Sequence, residues 1–260
     1  MIARININVA DVRSKPTFDS ERTSQGLFNE LVTVLEKGQA MDKIRFHDCH
    51  AGWIRKQFLS EYTDLEGDGP FIVNDEVTPG FEKPDAGSKR LTLIPYGCKL
   101  HGTVVGDFLE TSSERYGIIY LPRHELLDSV EADESFIPKP DTLIREAEKF
   151  LGTPYLWGGR SFFGMDCSGF VQTIMHHFGT GLPRDTKDQI KSGNDVTRGE
   201  ILPGDLLFFP RHVAMAISTD KYIHCSSSNG GVAYNSLDPQ NPLFNKLLSE
   251  SFIKAKRVFT

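Results

Sequence analysis

The apolar pattern of this 260-residue chain changes period once, near residue 140, and that change bounds what it can fold into. Before it, short β-rich runs alternate with turn formers, at 5–12, 31–36, 43–47 and 52–54, then at 90–95, 103–105, 108–111 and 116–121. After it, apolar residues recur at helical spacing. Leu143, Ile144, Ala147, Phe150 and Leu151 follow a capping Thr142, and Phe170, Val171, Ile174, Met175 and Phe178 share one face of 168–178. Strands are expected next at 205–209, 213–218 and 222–226. Such a chain is multidomain, with small all-β modules first and an α+β domain after them.

Two stretches mark the boundaries. Residues 63–90 are dense in Gly, Pro and Asp, with Asp64 and Glu66 among them. Residues 128–142, with Asp133 and Glu134, read as an acidic linker stiffened by Pro138 and Pro140. They divide the chain into 1–65, 66–130 and 131–260. The first two parts are expected to be small β-barrels, near the lower size limit for a self-sufficient core.

Composition removes several functions. With 39% apolar and 25% charged residues, packed cores are possible and global disorder is excluded. The surplus of 35 Asp+Glu over 29 Lys+Arg argues against a nucleic-acid or anionic-membrane binder. No uncharged apolar run approaches the ~20 residues of a membrane-spanning helix. Residues 1–8 lack an apolar leader core and a small-residue cleavage site, so the expectation is a cytoplasmic protein as written, or a periplasmic or extracellular one if a leader was removed. Cys49, Cys98, Cys167 and Cys225 are scattered without a Cys-x-x-Cys pair, which favours free thiols over a zinc or redox motif.

Cys167 lies in Gly164-Met165-Asp166-Cys167-Ser168-Gly169-Phe170, where the second helix should begin. Unsatisfied N–H groups and the positive end of the helix dipole favour thiolate there, so Cys167 is a candidate nucleophile. It needs a base, and the base an orienting group. His212 opens one expected strand and His224 lies on the next. A two-residue turn between them would put the rings on opposite sheet faces, whereas a three-residue turn or a bulge puts them on one. His176 and His177 read as C-terminal helix residues, His47, His50, His101 and His124 as surface or packing residues, and Cys225 as core. Thiolate and imidazole also ligate zinc, but no further ligand is spaced for it, so neither metal nor cofactor is expected.

At these residues the sequence resembles the NlpC/p60 family of papain-like cell-wall cysteine peptidases. The matching segments are 150–159, 165–172, 182–186, 202–209, 212–217 and 222–226, in family order. Residues 8–16, Ser20-Glu21 and Gly52-Trp53-Ile54 resemble bacterial SH3-like (SH3b) domains. The resemblance thus implies two SH3-like barrels before an α+β papain-like catalytic domain. It implies an endopeptidase of the γ-D-glutamyl-diamino acid type, acting on peptidoglycan stem peptides or muropeptides with a free N-terminal L-alanine.

Carried onto this chain, the resemblance makes Cys167 the nucleophile, His212 the base and His224 its orienting partner. Asp166 would pair with the substrate ammonium, and Ser168 and Tyr155 would line that subsite. Asp185 and Thr186 occupy the place of a polar pair beside the cleft. Glu21 either reaches the cleft or is an exposed loop carboxylate. Trp157 is a substrate-facing candidate, although Trp157-Gly158-Gly159 reads first as packing and a tight turn. Two other readings stand beside this one: a CHAP-like N-acetylmuramoyl-L-alanine amidase, which His224 disfavours, and a non-enzymatic SH3-like binding module. A monomer is expected.

Overall fold

The computed structural model describes residues 1–63, 67–128 and 138–259. Parts of both expected boundaries, with Asp64, Glu66, Asp133 and Glu134, lie outside the described residues. The chain divides into two compact units, residues 1–131 and 132–260. No described helix is long and apolar enough to cross a membrane.

The first unit holds two seven-stranded antiparallel sheets. One is built from Ile2–Ile5, Val9–Arg13, Arg22–Leu27, Leu31–Lys37, Met41–Arg45, Ala51–Arg55 and Leu59–Glu61. The other is built from Asp68–Val73, Val77–Phe81, Arg90–Pro95, Lys99–Val105, Phe108–Ser113, Gly117–Pro122 and Leu126–Asp128. Numbered within each module, the strands of both sheets run in the order 3-2-6-5-4-1-7. Both modules place a 3-10 turn before the seventh strand, at Lys56–Phe58 and Arg123–Glu125. Both turn from third to fourth strand through a left-handed residue, Asn29 or from the third strand's end Gly97, with φ of 64° and 79°. The unit is thus a tandem structural repeat.

Alternating side chains give the first module a core of Ile5, Val12, Val32, Ile44, Phe46 and Ile54. Leu27 and Phe28, at the end of its third strand, pack into the second core with Phe71, Val73, Ile94, Leu100 and Ile119. Asn29 adds a hydrogen bond from Nδ2 to the Lys99 carbonyl (3.3 Å). The expected closed barrels are not formed: the two outer strands of each order form no ladder with one another among the described residues. Closure needs matched tilt and stagger around the whole sheet, and a seventh strand of three residues offers few ladder bonds for it.

Two further expectations change. The expected strand at 5–12 is two strands, Ile2–Ile5 and Val9–Arg13. The turn-rich stretch 63–90 contains Asp68–Val73 and Val77–Phe81, because buried Phe71 and Val73 and a ladder placing Pro79 opposite Leu93 outweigh the local turn preference.

The second unit carries a six-stranded antiparallel sheet in the spatial order Asn194–Val196, Lys254–Arg257, Leu206–Phe209, His212–Ala216, Lys221–Ser226, Gly231–Ser236. Helix α1 (Pro140–Glu148) starts at Pro140 with Lys139 at the N-cap position, not at Thr142, since proline pre-sets the first helical φ. Helix α2 (Cys167–His177) packs against the sheet, with Phe170, Val171, Ile174 and Met175 all fully buried. Helices α3 (Thr186–Gln189) and α4 (Lys246–Glu250) are short.

Candidate active site

Asp166 sets the start of α2. As N-cap, its Oδ1 accepts from the Gly169 N–H (2.7 Å), a donor the helix itself leaves unpaired. The approach to the helix is held by close backbone contact: a Cβ on Gly169 would come within 2.1 Å of the Gly159 carbonyl oxygen. Gly159 then cannot retreat, and the Gly158 N–H donates to Asp166 Oδ2 (2.8 Å).

Arg184 completes this base. Its guanidinium, 2% exposed, donates to both Asp166 oxygens (3.0 and 2.7 Å), to Ser168 Oγ (2.8 Å) and to the Gly159 carbonyl (3.3 Å). The Ser168 hydroxyl also donates to Asp166 Oδ1 (3.2 Å). Asp166 therefore accepts from Gly158, Ser168, Gly169 and both arms of Arg184, which saturates a carboxylate. The carboxylate expected to read a substrate ammonium is thus engaged by partners within the fold. Ser168 is buried and belongs to the same network. Both hold the nucleophile helix in place.

The segment carrying Asp185 and Thr186 is stitched to α2. Gln189 Nε2 donates to the carbonyls of Ser168 (3.0 Å) and Pro183 (2.8 Å), and Gln172 Nε2 to that of Leu182 (2.8 Å). Thr186 Oγ1 thereby lies 3.9 Å from Cys167 Sγ. Asp185, one residue earlier, keeps 44% of its side chain exposed. Tyr155 is half-buried, and its hydroxyl is pushed up to about 12, first by burial and then by the charges of Cys167 and Asp166. Trp157 is 52% exposed. Glu21 belongs to the other unit and is exposed at the entry to the strand Arg22–Leu27.

The histidine register is decided by the turn. Ala216 stands opposite Tyr222, and the Ile217 N–H donates to the Lys221 carbonyl (2.7 Å), closing a loop of residues 218–220. This is the three-residue case. Even-numbered residues of both strands share a face, so His212 and His224 point the same way. His212 Nε2 lies 2.7 Å from His224 Nδ1, with the rings perpendicular (82°) at 4.9 Å between centroids. Cys225, of opposite parity, donates its thiol to the Met165 carbonyl (3.0 Å) and is fully buried, as expected of core.

Cys167 Sγ faces the strand that His212 opens. The backbone N–H of Val213, the residue after His212, faces Cys167 Sγ and favours the thiolate, as do the Ser168 N–H and the Thr186 hydroxyl. Burial and the Asp166 carboxylate act more strongly and push the Cys167 thiol up. Burial lowers His212 to about 3, with a smaller push from His224, and lowers His224 to about 4. Burial thus opposes charge on the thiol and on both rings, while the helix start, the Val213 and Ser168 N–H groups and the Thr186 hydroxyl favour the thiolate.

Two residues were invisible to the sequence reading. Asn235 Oδ1 lies 2.9 Å from His224 Nε2, and Asn229 Nδ2 donates to the same oxygen (2.9 Å). Asn235 is paired with Tyr222, hence diagonal to His224. Only a known register between Lys221–Ser226 and Gly231–Ser236 could have found it. No cluster of three or more His, Cys, Asp or Glu side chains suited to a metal occurs among the described residues.

The buried imidazoles make stability depend on pH. His177 is also lowered by burial, to about 4. The unfolded chain therefore binds more protons than the folded one from pH ~6.5 down to the folded values, and stability falls as pH falls through that window. Denaturation midpoints at pH 6.5 and 5 are expected to differ by roughly 3–5 kcal/mol of unfolding free energy. A flat profile would refute the neutral-imidazole state.

The profile of the NlpC/P60 family matches residues 152–250. A curated Bacillus cereus relative named gamma-D-glutamyl-L-lysine dipeptidyl-peptidase is 29% identical over 228 residues, covering 77% of this chain and 66% of its own. The probable endopeptidase NlpC of Escherichia coli is 37% identical over 121 residues, covering 44% of this chain and 74% of its own. This chain thus spans just under two thirds of the length of the first of these. The crystal structure of an NlpC/P60 family protein from Bacillus cereus superposes with a TM-score of 0.85 at 22% identity, covering all of both chains, and so shares the fold.

Proposed function

We propose, for a chain that belongs to the NlpC/P60 family of peptidases, that it hydrolyses the γ-D-glutamyl–diamino acid bond of peptidoglycan stem peptides bearing a free N-terminal L-alanine. The observation that carries this reading is the 2.7 Å bond between His212 and His224 at the head of the strand whose next N–H faces Cys167 Sγ. That arrangement suits acyl transfer to sulfur. The name of the Bacillus cereus relative supports the choice of bond, and the tandem β modules are read as SH3-like.

The reaction proceeds in two halves. Cys167 Sγ attacks the γ-carbonyl carbon while its proton passes to the ring nitrogen of His212 not engaged by His224. The oxyanion is received by the backbone N–H groups at the start of α2, where donors and dipole converge. The tetrahedral intermediate collapses to a thioester as the His212 imidazolium protonates the departing amine. Water, deprotonated by the same imidazole, then releases L-Ala-D-Glu and the free thiol.

Asp185 takes the role expected of Asp166. It precedes Thr186, whose hydroxyl lies 3.9 Å from Cys167 Sγ; its side chain is 44% exposed and its carboxylate meets the Lys187 ammonium at 4.0 Å, so a substrate ammonium would join or replace an exposed lysine there. A substrate ammonium there forms a charge-assisted pair, and an N-acylated stem cannot. The test compares L-Ala-γ-D-Glu-meso-diaminopimelate with its N-acetylated form. Wild type is expected to release L-Ala-D-Glu from the free peptide only. Asp185→Asn should raise KM about 10–100-fold for that substrate, the worth of one charged hydrogen bond. Equal cleavage of both peptides by wild type refutes the amine-reading site, and cleavage at the lactyl–alanine amide instead identifies an amidase.

A further inference from the structure

The chain of hydrogen bonds beyond His224 has a direction, because its outer end is a group that can only accept. The Leu243 carbonyl is held by the Ser236 N–H (2.9 Å), which fixes it in place. Asn235 must therefore present its amide nitrogen there, and Nδ2 donates to Leu243 at 3.1 Å. Its Oδ1 is left facing His224 Nε2 at 2.9 Å. The Asn229 amide, donating to the same Oδ1, opposes any flip.

An amide oxygen cannot donate, so the contact to Asn235 calls for a proton on His224 Nε2; the Asn229 amide nitrogen also approaches Nε2, at 3.2 Å, but is nearer the Asn235 oxygen, at 2.9 Å, and is assigned to it. The Nδ1 of His224 then bears a lone pair, and the 2.7 Å contact requires a proton on His212 Nε2. The lone pair of neutral His212 is thereby confined to Nδ1, the only ring nitrogen left to take a proton from sulfur. Besides Cys167, the titratable groups around the pair are Tyr222, whose ring meets His224 edge-on at 5.1 Å, and Asp166, whose charge reaches His212. Neither competes for these nitrogens in the bonds just described.

We infer that Asn235 is a positioning residue of the reaction: pinned on the Leu243 carbonyl, it sets the tautomer of His224 and, through it, that of the His212 base. This rests on the Cys167–His212–His224 reading above and extends it by one link.

The experiment uses the full chain labelled with ¹⁵N-histidine, with resonances assigned by His212→Gln and His224→Gln, together with the variants Asn235→Leu and Asn235→Asp. In resting wild type near pH 7.5, both rings are expected as Nε2–H tautomers with bare Nδ1. Asn235→Leu should give mixed tautomers and lower kcat about 10–100-fold, with KM within about threefold, on the free tripeptide. Asn235→Asp keeps the acceptor. It should hold the Nε2–H tautomer, retain kcat within about tenfold of wild type, and move the alkaline limb of the kcat profile to higher pH, since a carboxylate stabilises imidazolium. A protonated Nδ1 on His224 in wild type, or an Asn235→Leu variant with unchanged tautomers and kcat, overturns the inference. The tautomer reading needs no substrate, so it stands or falls separately from the proposed bond specificity.

Discussion

Replacing Cys167 by alanine is expected to lower kcat/KM on L-Ala-γ-D-Glu-diamino acid peptides on the order of 10⁴-fold or more. Acyl transfer to sulfur has no substitute nucleophile in the site, since Thr186 Oγ1, 3.9 Å away, has an ordinary hydroxyl and Cys225 is committed to the Met165 carbonyl. His212→Ala should cost a similar factor, and the double variant little more, because the two act as one unit. His224→Ala should be milder, by about 10–100-fold, since an orienting group contributes less than the pair it orients. Removing a single sulfur from a site that is 8% exposed changes little packing, so the far-ultraviolet circular dichroism of Cys167→Ala should match wild type. Retention of a tenth of the activity by Cys167→Ala would end the cysteine-peptidase assignment for this residue.

The second large effect concerns folding. Arg184→Met is expected to destabilise the protein by about 3–5 kcal/mol, read as a loss of denaturant midpoint. The guanidinium is 2% exposed and the Asp166 carboxylate 10%, so deletion of one partner strands the other's charge away from water. The damage should also reach catalysis, because Asp166 caps α2 and holds Gly158. Arg184→Lys keeps the charge but not the paired donors, and should recover only part of the stability. Arg184→Met with Asp166→Asn should be less harmful than Arg184→Met alone, since no uncompensated charge remains. A loss under about 1 kcal/mol for Arg184→Met would show that the network is not buried as described.

Asp166 shows where motif reading loses resolution. A carboxylate beside the nucleophile suits an ammonium-binding role by position alone. What engages it instead is an arginine eighteen residues further on, delivered by a segment tied down through Gln172 and Gln189. The partly exposed carboxylate that precedes Thr186 is Asp185, ion-paired with Lys187 at 4.0 Å, which the motif had placed near the cleft without that function. In the first unit the same limit acts on strands. The stretch 68–81 is rich in Gly, Pro and Asp, yet ladders with distant strands make it β.

From the residues alone came the α+β character after residue 140, the helix beginning at Cys167, the three strands that carry and flank the histidines, and Cys167, His212 and His224 as candidates. These follow from periodicities of 3.6 and 2 and from the chemistry of side chains, which are local properties of a chain. Tertiary structure alone decided that the rings share a face, since that depends on whether the turn at 218–220 holds two residues or three. It alone decided that Asp166 is consumed by Arg184 and that Asn235 completes the chain of bonds from His224 to Leu243. Those contacts join residues through register and long-range packing, and the burial they create opposes the thiolate that the helix start favours.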